Sequence, residues 1–155
     1  MARSVRPTVT ERLNAAADLL DGTVTDAGGL WSRATVWILR IALEQAVDGL
    51  WARISPQLAR CSMRAQLLAL ETCAGPELAG RVAGLWAVLS RSGHHLDSEP
   101  APTVDELRDW YDETSRLAGE LDRLGRSGVP AVFGRAPRNR SSGSHRSSAS
   151  KRRQR

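Results

Sequence analysis

The stretch from Leu30 to Ile54 leaves this chain little choice of fold. Read at 100° per residue, Val36, Leu43, Val47, Leu50 and Ile54 share one helical face, and Ile38, Ile41, Ala42 and Ala46 carry apolar character around most of the cylinder. Only Arg33, Arg40, Glu44 and Asp48 form a charged stripe, narrow and flanked by Trp37 and Trp51. A helix apolar on most sides is stable in water only when other helices surround it. The stretch therefore predicts the central member of a bundle. No apolar run approaches the roughly 18 residues needed to span a bilayer, so no membrane partner is expected.

Shorter amphipathic segments supply the surround. Thr8-Val9-Thr10-Glu11 has capping-box spacing, and Val9, Leu13, Ala16 and Leu20 recur at three-to-four spacing up to Gly22. Ser55-Pro56 ends the long helix and can start a short helical turn. Ser62 can cap a third helix with Met63, Leu67, Leu70 and Ala74 along one side and Gly75 as its stop. Pro76 suits the first turn of a fourth, whose face is Leu78, Val82, Leu85, Trp86 and Leu89 and whose stop is Gly93. A Pro-rich connector leads to a second capping box, Thr103-Val104-Asp105-Glu106. Val104, Leu107, Tyr111, Thr114, Ala118 and Leu121 then mark the last helix, with acid-before-base pairs such as Asp112 with Arg116 on its outer face and Gly125 near its end. The expected fold is all-α: a four- to five-helix bundle over residues 8–125, followed by a disordered basic C-terminal tail over 126–155.

Charge divides the chain at the same boundary. The first 125 residues hold 13 basic and 17 acidic side chains, a net charge of −4, whereas the last thirty hold nine basic and no acidic ones. This excludes a uniformly basic nucleic-acid-binding domain and points to an acidic body with a cationic tail. Arg135, Arg138, Arg140, Arg146, Lys151, Arg152, Arg153 and Arg155 are candidate phosphate contacts, giving salt-sensitive binding to RNA or other nucleic acid without sequence preference. No aromatic follows Phe133, so the tail positions a nucleic acid and does not read it. The same composition also suits an inert solubilising tail, in a chain with 21 Arg to one Lys. Cys61 and Cys73 are too few and too isolated for a zinc module or disulfide framework, and residues 1–7 contain no apolar core of a signal peptide. Reduced thiols and a cytoplasmic location are expected.

Ser90-Arg91-Ser92-Gly93-His94-His95 is the sharpest local cluster. If the helix continues past Gly93, Arg91 and His95 share a face at i, i+4, away from Leu85 and Leu89. A guanidinium beside an imidazole suits a phosphodiester: Arg91 neutralises the phosphate and its developing charge, and His94 or His95 exchanges protons with a ribose hydroxyl or the leaving oxygen. No metal or cofactor is required. The same residues also suit a plain helix end, where histidines favour the helix dipole and glycine ends the turn. A metal set of His94, His95, Asp97 and Glu99 is compatible in composition only, because adjacent loop histidines seldom chelate one ion. In the stripe of the long helix, Arg40 can pair with Glu44. Glu44 and Asp48 repel unless a cation such as Arg91 lies between them.

With these pieces in place, the stretch from Trp37 to Leu121 resembles the HEPN superfamily. The resemblance is carried by Ile41-Ala42-Leu43-Glu44-Gln45-Ala46, by Leu89-Ser90-Arg91-Ser92-Gly93-His94-His95, and by Pro102-Thr103-Val104-Asp105-Glu106-Leu107. It implies a metal-independent endoribonuclease of toxin or defence type, or an inactive RNA-binding relative. It further implies a homodimer that brings two motifs into one cleft, and an antitoxin-like protein partner. In that family Arg is usually followed by a polar residue and, after four to six intervening positions, by His. Here His95 stands four positions after Arg91, Ser92 takes the polar place, and Gly93 interrupts. The rival expectation is a non-enzymatic helical protein-interaction module, such as a phage or plasmid accessory protein, whose tail is its only nucleic-acid feature.

Overall fold

The computed structural model describes residues 6–22, 30–93 and 101–128, and among these it is all-α, with no strand. Four helices follow one another: α1 (Val9–Leu20), α2 (Leu30–Ile54), α3 (Met63–Gly93) and α4 (Val104–Ser127), with a 3₁₀ turn at Leu58–Arg60 between α2 and α3. The long apolar stretch forms the 25-residue α2, which packs against α1, α3 and α4. Val36, Leu39, Ala42, Leu43, Val47, Leu50 and Trp51 of α2 are buried, meeting Leu70, Val82, Leu85 and Leu89 of α3, Leu107, Leu117 and Leu121 of α4, and Ala16 of α1. Each fully buried Leu contributes about 1.5–3 kcal/mol by leaving water. Trp51, expected at a half-buried edge, lies wholly inside. Thr35 and Thr114 are buried too. Their hydroxyls donate to the carbonyls one turn back, at Trp31 (2.8 Å) and Trp110 (2.7 Å), so their burial strands no polar group.

The third and fourth helices expected from the sequence are both present, and they meet at a kink as the two arms of the span Met63–Gly93. Gly75 adopts φ 79°, ψ 163°, a non-helical conformation essentially reserved for glycine, and Pro76 opens the second arm. The backbone changes direction there, as the expected stop at Gly75 requires. Gln66 and Leu70 anchor the first arm in the core. Ala79, Val82, Leu85 and Leu89 anchor the second.

Polar contacts fix how the helices sit on α2. Both expected capping boxes are formed: Glu11 N donates to Thr8 Oγ1 and Glu106 N to Thr103 Oγ1, each at 3.2 Å, and the Thr8 and Thr103 amides donate back to the glutamates. Gln45 ties α1 to α2, accepting from Arg12 Nε (3.0 Å) and donating to the Pro7 carbonyl (2.9 Å). Arg81 of α3 forks between two carboxylates of α4, Glu113 (2.8 Å) and Glu120 (3.1 Å). Arg116 joins Glu113 instead of the expected Asp112, because Glu113 already lies beneath it at i, i+3. Arg53, at the end of α2, reaches Asp122 at 2.7 Å, and Arg126 pairs with the same carboxylate.

Gly125 does not end α4, which continues to Ser127 and stops at Gly128 with φ 69°. Its role is clearance. A Cβ on Gly125 would lie 3.3 Å from Arg53 Cδ and Nη1 and 3.4 Å from Leu50 Cδ1, so glycine lets the end of α2 cross closely enough for the Arg53–Asp122 pair.

Two glycines of α3 should respond oppositely to alanine. At Gly75 the backbone conformation rejects any Cβ, although no atom lies within 4 Å of it; Gly75→Ala should destabilise by about 1–3 kcal/mol. Gly80 is an ordinary helical residue with equally open space around its Cβ position, so Gly80→Ala should stabilise by about 0.5–1 kcal/mol. Chemical denaturation of the two variants checks both signs.

Candidate functional site

The second arm of α3 carries Arg91 to its last turn, where the side chain is exposed and makes no ion pair with another described residue. That sets it apart from Arg40, Arg53, Arg81, Arg116 and Arg126, each held by a carboxylate. A guanidinium without a counter-charge among the described residues is available to an external anion. Next to it the chain packs on α2. A Cβ on Gly93 would stand 3.6 Å from Trp37 Cδ1 and 3.9 Å from Val36 Cγ1, so the Trp37 indole lies against the end of α3. Trp37 remains 53% exposed. The sequence alone does not join Trp37 to Gly93. The only available signal was a large aromatic on the polar edge of an otherwise apolar helix.

His94 and His95 lie outside the described residues, as do Arg135, Arg138, Arg140, Arg146, Lys151, Arg152, Arg153 and Arg155. Asp97 and Glu99 do as well. Among the described residues no group of three or more His, Cys, Asp or Glu side chains is arranged to hold a metal ion.

The charged stripe of α2 is met by the expected Arg40–Glu44 pair and by two neutral donors of α3, not by Arg91. Glu44 Oε1 accepts from Arg40 Nε and from the Trp86 indole N–H, both at 2.9 Å. Asp48 accepts from Gln66 Nε2 at 2.9 Å, and the same amide donates to the Cys61 carbonyl at 3.1 Å. Because both of its neighbours are acceptors, the Gln66 amide can present only its NH2 group, which fixes its orientation. The repulsion expected between Glu44 and Asp48 is thus met by one indole and one amide from α3. The stripe is a helix-packing device whose carboxylates are already engaged.

Several concavities lie among the described residues. A cleft of about 560 Å³ lies among α1, α2 and α4, with Thr8, Asn14, Gln45, Arg53, Tyr111 and Asp122 in its wall. A more apolar groove of about 500 Å³ follows the two arms of α3, and a smaller hollow near 490 Å³ lies by Pro7, Arg12 and Ile38. Arg91 lines none of these three. Cys61 and Cys73 are free thiols, and burial pushes the Cys73 thiol up, away from nucleophilic character.

These features define an all-α bundle that presents an exposed cation and an exposed indole at one helix end. No family model matches the chain, and neither a curated protein nor a solved structure shows a significant match to it. No helix among the described residues is long and apolar enough to cross a membrane.

The carboxylates that pin the helices carry a pH signature. The Arg53 hydrogen bond, and then Arg126, hold Asp122 below the usual carboxylate range; backbone and hydroxyl donors of Thr8 and Thr103 do the same for Glu11 and Glu106. Each folded-state pKa lies below its unfolded value, so below about pH 4–5 the unfolded chain binds more protons than the native one. The associated stability is fully present above that range and is lost as pH falls through the depressed folded values. Arg53→Gln should make the acid limb of stability shallower, measured as thermal midpoint from neutral pH down to about pH 3.

Proposed function

We propose that this chain is an HEPN-like RNA-binding domain that cleaves single-stranded RNA without a metal. The observation that carries the reading is Arg91: exposed and free of any counter-charge among the described residues, in the last turn of α3, the helix whose end at Gly93 packs by the exposed Trp37, and three positions before His94. Arg91 contacts phosphate as a guanidinium suited to bidentate hydrogen bonds. Trp37 offers a face on which an unpaired base stacks. One imidazole of His94 and His95 takes the proton of a ribose 2′-OH, whose oxygen attacks the adjacent phosphorus. The bond to the 5′-oxygen breaks, and a protonated imidazole, from the same chain or a second copy, supplies that oxygen's proton. The products are a 2′,3′-cyclic phosphate and a 5′-hydroxyl, with no net uptake of water or protons. The cationic residues from Arg135 onward raise the local concentration of RNA.

A second reading, a protein-interaction module without catalytic activity, is favoured by the apolar groove along α3. An antitoxin-like protein is the partner class that the first reading implies.

Cleavage of labelled single-stranded RNA in EDTA separates the two. The first reading expects cleavage by the wild-type chain, a loss of roughly 10²–10⁴-fold in Arg91→Ala and His95→Ala, and tighter RNA binding in wild type than in Trp37→Ala by about 1–3 kcal/mol. RNA that is neither cut nor held by wild type removes it. Removing residues 129–155, which leaves Arg126 on Asp122, should reduce the salt dependence of binding by about 0.7 log units per lost phosphate contact.

A further inference from the structure

The groove along α3 is built from two unlike walls. On the first arm, Arg64, Leu67, Leu68 and Glu71 fall within about 100° of arc, and Leu68 is 81% exposed. On the second arm, Ala79, Gly80 and Ala83 present small surfaces, and Trp86 closes the side. A Cβ on Gly80 would meet nothing within 4 Å, so the space over that wall is open to a neighbouring backbone. Trp86 is held in place by its indole hydrogen bond to Glu44, so this wall stands before any partner arrives.

The rim carries the decisive pattern. Neither Arg64 nor Glu71 forms an ion pair with another described residue, although both sit beside the exposed Leu68. They are seven positions apart, and the midpoint between them falls between Leu67 and Leu68. A two-fold axis through that midpoint carries position 64 onto position 71 of an antiparallel neighbour. Opposite charges then meet twice, about 10 Å apart along the helix, with leucines between them. An unrelated helix would need the complementary sequence by coincidence; a second copy of this chain has it by symmetry.

We propose that the α3 groove takes a second copy of this chain, in an isologous pairing where the first arms run antiparallel about Leu67–Leu68 and Arg64 faces Glu71 of the partner subunit. Leu68 leaves water against the apolar groove, and each charge gains a counter-charge that the described residues of its own chain do not provide. The pairing goes beyond the RNA reading and does not rest on it, since neither Arg91 nor Trp37 takes part.

Sedimentation equilibrium of the full chain without RNA, at moderate ionic strength, tests the pairing. The wild-type chain should show a reversible dimer. Leu68→Glu should raise the dissociation constant by at least about 30-fold, as burying an unpaired charge at an interface centre does. Arg64→Glu and Glu71→Arg should each weaken the dimer by roughly tenfold, and the double reversal should restore it, because the charges are then exchanged across the axis. Gly80→Gln should weaken the dimer by filling the groove while its circular dichroism and melting stay those of a folded bundle. A wild-type chain that stays monomeric across the concentration range overturns the proposal, even if some other protein binds the groove. So does a dimer indifferent to Leu68→Glu, or a double reversal as weak as the single ones. Folded variants with normal helicity exclude misfolding as the cause. RNA cleavage is read separately, so either result stands without the other.

Discussion

Burial of α2 is the condition that every other helix satisfies. Its apolar surface extends too far around the cylinder for one neighbour to cover, so α1, α3 and α4 all take positions against it. The few charges it carries cannot point into that core, and they occupy the seam where α3 crosses. There the indole of Trp86 and the amide of Gln66 close on Glu44 and Asp48. Hydrogen bonds to carboxylates are stronger than neutral ones, and a half-buried carboxylate left unmatched would be costly. The same contacts therefore set the height and rotation of α3 on α2, and with them the place where Arg91 leaves the bundle.

Cations in this body fall into two uses. Arg53 and Arg81 bind carboxylates on neighbouring helices and act as pins; Arg40, Arg116 and Arg126 brace carboxylates of their own helix, and Arg53 and Arg126 share Asp122. Arg64 and Arg91 do neither among the described residues, and both lie on α3. An acidic body repels polyanions at long range, so an anion reaching Arg91 depends on that local cation and on positive charge delivered from elsewhere in the chain. Trp37 adds a contact that salt does not screen.

Much of the architecture was legible in the sequence because local rules and packing agree. The capping spacing at Thr8 and Thr103, the end of α2 at Ile54 before Ser55-Pro56, and the break at Gly75 all follow from short-range chemistry, and the structure has each of them. Gly75 followed by Pro76 marked the break between the two arms of α3, because glycine supplies the positive φ and proline suits a first helical turn. The end of α4 around Ser127–Gly128 was legible, but the clearance role of Gly125 was not, because nothing in α4 reveals that Arg53, 72 positions earlier, packs there. Long-range partners were the general blind spot. The Arg40–Glu44 pair was legible, but the cation expected between Glu44 and Asp48 is replaced by Trp86 and Gln66, and Trp37 was not connected with Gly93, because these relations exist only once α2 and α3 are laid side by side. Of the candidate site, Arg91 is placed on the end of α3, while His94, His95 and the tail cations lie outside the described residues.

The bend at Gly75 has a further consequence for how stability is distributed along α3. The first arm is held in the core by Gln66 and Leu70, whereas the second arm buries four residues and is clamped to α4 by Arg81. With its helical geometry broken at Gly75, the first arm can open at a smaller free-energy cost than the bundle as a whole, as a partial unit of unfolding. Its backbone amides are then the first in α3 to exchange with solvent. Any molecule that covers Leu68 slows that exchange without touching the rest of the core, so the weakest section of the helix is also its most sensitive reporter of association.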